Sequence, residues 1–372
     1  MNRLERYYLL LCLVLPFTTS SLFAQEPTQL PSWALGPFIR PAGVNPIISP
    51  KENTSFLDPM SGKKVFWESN DTFNPAATVK GNKVVILYRA EDKSGVAIGQ
   101  RTSRLGYAES SDGLHFKRES KPVFYPGKDA QEIHEVPGGC EDPRIAVTED
   151  GLYVMLYTQW NKKIARLGVA TSRDLKKWTK HGPAFQKAHG GKFYNLFHKS
   201  GSIVTKLVNG KQVIAKVNGK YLMYWGERFL NLATSEDLVN WTPTLDENGK
   251  IKELIKPRAQ HFDSDLTEAG PPAVLTEKGI LVLYNGKNAS GEKRDKRYTA
   301  NTYAAGQVLF DLNDPQKVIG RLDQPFFVPT EAFEKSGQYP AGTVFVEGLV
   351  YFKAKWFLYY GCADSRVGVA VL

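Results

Sequence analysis

Apolar and polar positions fall into short runs that recur along the chain. An apolar run, Val84-Val85-Ile86-Leu87-Tyr88, precedes a small-residue run, Leu105-Gly106-Tyr107-Ala108-Glu109-Ser110-Ser111-Asp112, and then Phe116. The order returns in Leu152–Tyr157, Leu167-Gly168-Val169-Ala170-Thr171-Ser172-Arg173-Asp174 and Trp178, and again in Tyr221–Trp225, Leu230-Asn231-Leu232-Ala233-Thr234-Ser235-Glu236-Asp237 and Trp241. A fourth copy has Ile280–Tyr284 and Ala304–Asp311; a fifth has Trp356–Tyr360 and Val367–Val371. Runs of this length, bounded by turn residues, predict strands.

Each copy opens on small or proline-containing residues: Asn74-Pro75-Ala76, Asp142-Pro143-Arg144, Ser200-Gly201-Ser202, Gly270-Pro271-Pro272 and Ala341-Gly342-Thr343. The repeat of roughly 60–70 residues exceeds the ~40–50 of common propeller blades, so the excess lies in loops. Strand-rich units repeated this way predict an all-β chain, a five-bladed β-propeller in one domain over residues 61–372. Ahead of it lie a segment at 1–24 and an extension at 25–60. Arg3 and Arg6, the apolar run Tyr7–Phe17 and Leu22-Phe23-Ala24 form the three-part pattern of a secretory signal peptide. The expected location is therefore outside the cytoplasm, the periplasm first and the cell surface as the alternative, with no membrane span.

Composition narrows the reading. With 42% hydrophobic and 23% charged residues, disorder and long coiled coil are excluded. Glycine (32) and proline (22) fit many turns, and 12% aromatic residues favour sheets and sugar-binding surfaces. The net charge of +10 comes from scattered lysines without a nucleic-acid motif, so no nucleic-acid partner is expected. Cys140 and Cys362 are too few for a disulfide scaffold, and their pairing stays open. No C-x-x-C or histidine-rich spacing calls for a metal, and no cofactor is expected.

In a propeller the strand openings converge on the axis, and charged residues accompany them here. Asn74 is joined by Arg89, Glu91 and Asp92; the second opening is Glu141-Asp142-Pro143-Arg144; the third unit carries Trp225-Gly226-Glu227-Arg228; Glu268 precedes the fourth opening; the fifth unit ends in Asp364-Ser365-Arg366. Several carboxylates in one pocket suit glycoside cleavage, where one acid protonates the leaving oxygen and another activates water or attacks carbon. Asp112, Asp174 and Asp237 are set aside as turn caps.

At these positions the sequence resembles glycoside hydrolase family 130, and in particular its secreted Bacteroides-type β-1,2-mannosidases. The segments Asn74-Pro75-Ala76, Tyr88-Arg89, Glu141-Asp142-Pro143-Arg144, Ala269-Gly270-Pro271-Pro272 and Tyr360-Gly361-Cys362-Ala363-Asp364 carry the likeness. It implies a five-bladed propeller acting on β-mannosides with inversion, Asp142 as general acid, and Asn74, Arg89, Arg104 and Asp364 around the terminal mannose. Glu141 and Tyr360 join these as substrate-binding candidates. Many members are phosphorylases with a cationic cluster for phosphate, including an Arg-Pro where this chain has Tyr224-Trp225-Gly226-Glu227. A carboxylate at Glu268 would repel phosphate and can instead deprotonate water. The expectation is a hydrolase acting from the chain end on β-linked mannose oligosaccharides, with Glu227 and Glu268 sharing the base function. The alternative is a phosphorylase releasing mannose 1-phosphate.

Overall fold

The computed structural model describes residues 29–372. The expected signal peptide, at residues 1–24, lies outside the described residues. The only α-helix described is the four-residue Glu132–Glu135; the rest is strands, turns and two short 3-10 segments. The repeats are antiparallel meanders. Asp71–Lys80, Lys83–Glu91 and Ser103–Ser110 form the first, and Gly139–Val147, Tyr153–Trp160, Ala165–Ser172 and Thr179–Pro183 the second. Gly201–Val208, Lys220–Trp225 and Leu230–Ser235 follow, then Ala273–Thr276, Gly279–Lys287 and Tyr303–Phe310. Val344–Phe352, Lys355–Cys362 and Arg366–Val371 come last.

Successive meanders are stitched edge to edge by parallel pairs, Ser103 with Gly139 and Val204 with Ala273. Their apolar faces stack. Leu87 and Tyr107 meet Ile145 and Met155; Leu156 and Val169 meet Met223; Tyr224 meets Phe310; Leu283 meets Val346 and Leu358; Ile86 meets Tyr359 and Val369. Burying such faces is the main stabilising term in a fold of this kind.

Residues 39–48 belong to this body. Ile39 and Ile48 bridge to Val371 and Val367, beside the last strand, and the Asn45 side chain accepts from Val369 N and donates to Val369 O, both at 2.8 Å. The turn caps also hold. Asp112, Asp174 and Asp237 each accept two backbone N–H bonds from the residues two and three ahead, beside Ser110, Ser172 and Ser235. These are Asx turns, which explains why Ser-x-Asp recurs.

A second repeated device explains the tyrosine and the glycine of four of the units; in the third, Tyr224 faces Leu232 and donates to the Pro315 carbonyl. A buried carboxylate accepts from the tyrosine hydroxyl and pairs with a cation. Glu68 takes Tyr88 (2.8 Å) and Arg118 (2.9 Å); Asp263 takes Tyr284 (2.7 Å) and Arg321 (2.6 Å); Glu334 takes Tyr360 (2.8 Å) and Arg40 (2.6 Å). Glu135 takes Tyr157 at 2.6 Å and Lys180. Opposite the four tyrosines stand Gly106, Gly168, Gly306 and Gly368. The glycine is required for space: a Cβ on Gly106 would lie 2.3 Å from Tyr88 Cζ. Gly106→Ala is therefore expected to destabilise the fold by about 1–3 kcal/mol through overpacking. A denaturant midpoint equal to wild type would count against this packing.

Tyr360, expected to bind substrate, is corrected by this pattern. It is fully buried, its hydroxyl serves Glu334, and its ring packs on Phe327 at 5.0 Å. Strand alternation turns it into the core, away from the carboxylates.

Candidate active site

The innermost strands lose their ladder register where the chemistry sits. Asn74 is skipped between Phe73 and Pro75, Asp142 and Pro143 between Glu141 and Arg144, and Glu347 between Val346 and Gly348. A bulge re-aims the extra side chain and twists the strand. Asn74 (φ 46°), Asp142 (φ 46°) and Ser200 (φ 60°) take left-handed backbone conformations, uncommon for residues other than glycine. Such strain costs of order 1–3 kcal/mol per residue and clusters at functional sites.

The strain brings Asn74, Arg89, Glu141 and Asp142 together. Asn74 Nδ2 and Arg89 Nη1 each donate to Asp142 Oδ1 at 3.0 Å. Arg89 Nη2 donates to Glu91 (2.6 Å) and Glu141 (2.8 Å), its Nε reaches Ser103 Oγ at 3.1 Å, and its guanidinium lies over the Phe73 ring. Across the pocket, Lys199 Nζ stands 3.2 Å from Glu268, 3.6 Å from Glu227 and 3.7 Å from Asp142. Ser200 Oγ donates to Glu268. Glu227 follows Gly226, whose φ is 122°, and is the only one of these three carboxylates left substantially open, at 34% side-chain exposure. The nearest oxygens of Asp142 and Glu268 cannot lie farther apart than their two contacts to Lys199 combined. That ceiling lies near the lower limit of the ~6.5–9.5 Å spacing of inverting glycosidases, so the separation falls at the foot of that range or below it.

Burial and charge split these acids. Burial pushes Glu141 up to about 7, Arg89 opposing and the neighbouring Asp142 carboxylate adding to the rise. Burial likewise pushes Asp364 up to about 7, against Arg89 and with Asp142. Burial would raise Asp142 too, but Arg89, Lys199 and Arg144 outweigh it and hold it well below the usual range. Glu268 is raised by burial, with Lys199 opposing and Glu227 adding. Arg89 and Lys199 thus favour the ionised form of Asp142, while burial favours the protonated forms of Glu141 and Asp364 beside it.

The other expected residues fall as follows. Asp364 sits in the last hairpin turn with φ 50°, its backbone carbonyl accepting from Gln338 Nε2 at 2.8 Å. Arg104 is buried but pairs with Asp92 (2.7 Å) and Asp58 (3.2 Å), and its Nε has no partner. Its ion pairs go to Asp92 and Asp58 rather than to Asp142, Glu227 or Glu268. Sequence reasoning missed the centrality of Lys199, as well as Ser200, Ser103 and Glu347. The third opening, Ser200-Gly201-Ser202, marked the place, but nothing local distinguishes Lys199 from the scattered surface lysines. Cys140 and Cys362 are buried free thiols. Among the described residues no grouping of His, Cys, Asp and Glu suits a metal ion, and no helix is long and apolar enough to cross a membrane. A cavity of about 540 Å³ lined by Val79, Ile145, Val147, Val213 and Leu349 lies away from these carboxylates.

Clustered buried acids framed by Arg89 and Lys199 on a nearly all-β body fit a carbohydrate-active enzyme. Comparison with known proteins gives the family. The model of glycoside hydrolase family 130, described as β-1,4-mannooligosaccharide phosphorylase, matches residues 50–372, and the chain belongs to that family. A 1,2-β-oligomannan phosphorylase of Thermoanaerobacter sp. is 33% identical over 310 residues, covering 82% of this chain and 91% of that one. A glycosyl hydrolase structure from Bacteroides ovatus is 67% identical with a TM-score of 0.91, covering 92% of this chain and 95% of that one. A further structure with the same identity, TM-score and coverage is described as showing that family 130 mannoside phosphorylases include hydrolases that target β-1,2 mannosidic linkages in Candida mannan.

Proposed function

We propose that this protein is an exported, exo-acting, inverting β-1,2-mannosidase on a five-bladed propeller. The observation that carries hydrolysis is the grouping of Glu227, Glu268 and Asp142 around Lys199. Phosphate is dianionic near neutral pH, and a phosphorylase needs spare cations where it binds. Here the nearby ammonium is already shared among three carboxylates, so the place offers net negative charge and suits a neutral water. The 67% identity to a structure described in terms of β-1,2 mannosidic hydrolases supports the linkage. The successive meanders, with Ile86 of the first packed on Tyr359 and Val369 of the last, support five blades closed into a ring.

In this reading Asp142 protonates the glycosidic oxygen, directly or through a sugar hydroxyl, and Glu227 and Glu268 deprotonate a water on the opposite face of the ring. A neutral sugar entering between Asp142 and Lys199 removes part of what depresses Asp142. Its pKa then rises, the direction a proton donor needs. Asn74, Arg89, Glu141 and Asp364 hold the terminal mannose.

The second reading is a phosphorylase, favoured by the 33% identical relative of that activity. Incubation with β-1,2-mannobiose, with and without phosphate, separates the two. Mannose formed at the same rate in both is the expected result; mannose 1-phosphate formed only with phosphate would overturn it.

A further inference from the structure

Beneath the carboxylates a buried arginine–glutamate contact remains that the proposed chemistry does not use. The side chains of Arg144 and Glu347 are 1% and 0% exposed, with Nη1 and Oε1 3.0 Å apart. The guanidinium spends its other donors on main-chain carbonyls: Nη1 on Asp142 at 2.9 Å, Nη2 on Ala269 at 2.9 Å and Nε on Gly270 at 3.3 Å. Asp142 is the acid itself, and Ala269 directly follows Glu268. One rigid planar group therefore ties together the backbones that carry the two acids. Glu347 reaches Arg144 because it is bulged out of the ladder of Val344–Phe352, and neither of its oxygens has a hydrogen-bond partner.

Stability alone does not account for this pair. A buried ion pair is often no more stabilising than apolar side chains of the same volume. Arginine offers donors in a fixed fork that lysine lacks. We infer that Arg144, held in place by Glu347, is a positioning residue that sets the spacing between Asp142 and Glu268. A misplacement of about 1 Å at a reacting centre costs on the order of 10²-fold in rate, so spacing is worth fixing.

The inference rests on the functional reading above. Arg144→Lys keeps the charge and loses the fork. It is expected to lower kcat on β-1,2-mannobiose at least about tenfold, with KM within about threefold and the limbs of the pH profile unmoved. A merely structural role would lower the melting temperature and leave kcat per folded molecule intact, and that result overturns the inference. Should Arg144→Lys not fold, Glu347→Leu, which takes the carboxyl group away from the guanidinium, is expected to show the same split. Wild-type kcat from a folded Glu347→Leu protein likewise overturns it. A wild-type protein inactive on the disaccharide with and without phosphate counts against the functional reading alone. Crystal structures of wild type and Arg144→Lys then decide, because an unchanged Asp142–Glu268 separation is incompatible with the inference.

Discussion

Asp142→Asn is expected to lower kcat on β-1,2-mannobiose by about 10²–10⁴-fold, and Glu268→Gln by a similar factor. The two losses differ in kind. In the proposed mechanism Asp142 gives a proton to the departing oxygen, so a substrate with an activated leaving group, such as a dinitrophenyl β-mannoside, needs it less. On that substrate Asp142→Asn should recover most of its rate. In the same mechanism Glu268 serves the incoming water, and no leaving group replaces that service, so Glu268→Gln should stay slow. Glu227→Gln should behave like Glu268→Gln if the two share the base function around Lys199. Wild-type rates from both glutamine variants would remove the base assignment, and equal rescue of all three would remove the division of roles.

Arg89→Met should cost about 3–5 kcal/mol of folding stability, because it leaves Glu91, Glu141 and Asp142 buried around a missing cation. The loss should depend on pH. Arg89 lowers the pKa of both Glu141 and Asp142, so its removal raises them in the folded state. Unfolded carboxyls ionise near ~4. A folded acid with a higher pKa keeps its proton above that point, while the unfolded chain gives it up. Stability of the variant therefore falls as pH rises from about 4 toward the raised folded values, and the deficit is smallest in acid. Urea unfolding at several pH values measures this; a deficit that widens on acidification would contradict the assignment of Arg89 as counter-charge.

The strands, their order and the turn-capping aspartates were legible because periodicity and Ser-x-Asp are local signals. Asn74, Arg89, Glu141 and Asp142 were placed together because each sits beside an opening that recurs. Tyr360 misled for the same reason. It lies in a segment that resembles the family, two residues from a strained turn, yet strand alternation sends it to Glu334. Its repeat partners Tyr88, Tyr157 and Tyr284 hold the clue, since a residue found at the same place in four units serves packing more readily than one pocket. Lys199 and Glu347 escaped because their meaning is three-dimensional. Lys199 is read only through the distances to Asp142, Glu227 and Glu268, residues from three different units. Glu347 depends on a bulge that no turn residue announces.

The pairing of residues 39–48 with the final strand bears on how the chain reaches its native form. Asn45 and Val369 are separated by 324 positions, yet they exchange two hydrogen bonds. These contacts can therefore form only once Arg366–Val371 has been made, after every other described strand. Until then Ile39, Ile48 and the edge of Arg366–Val371 have no mates. Closure of so distant a loop is slow relative to local hairpins. The contacts at Asn45 are thus expected to be among the last to form, after the local hairpins.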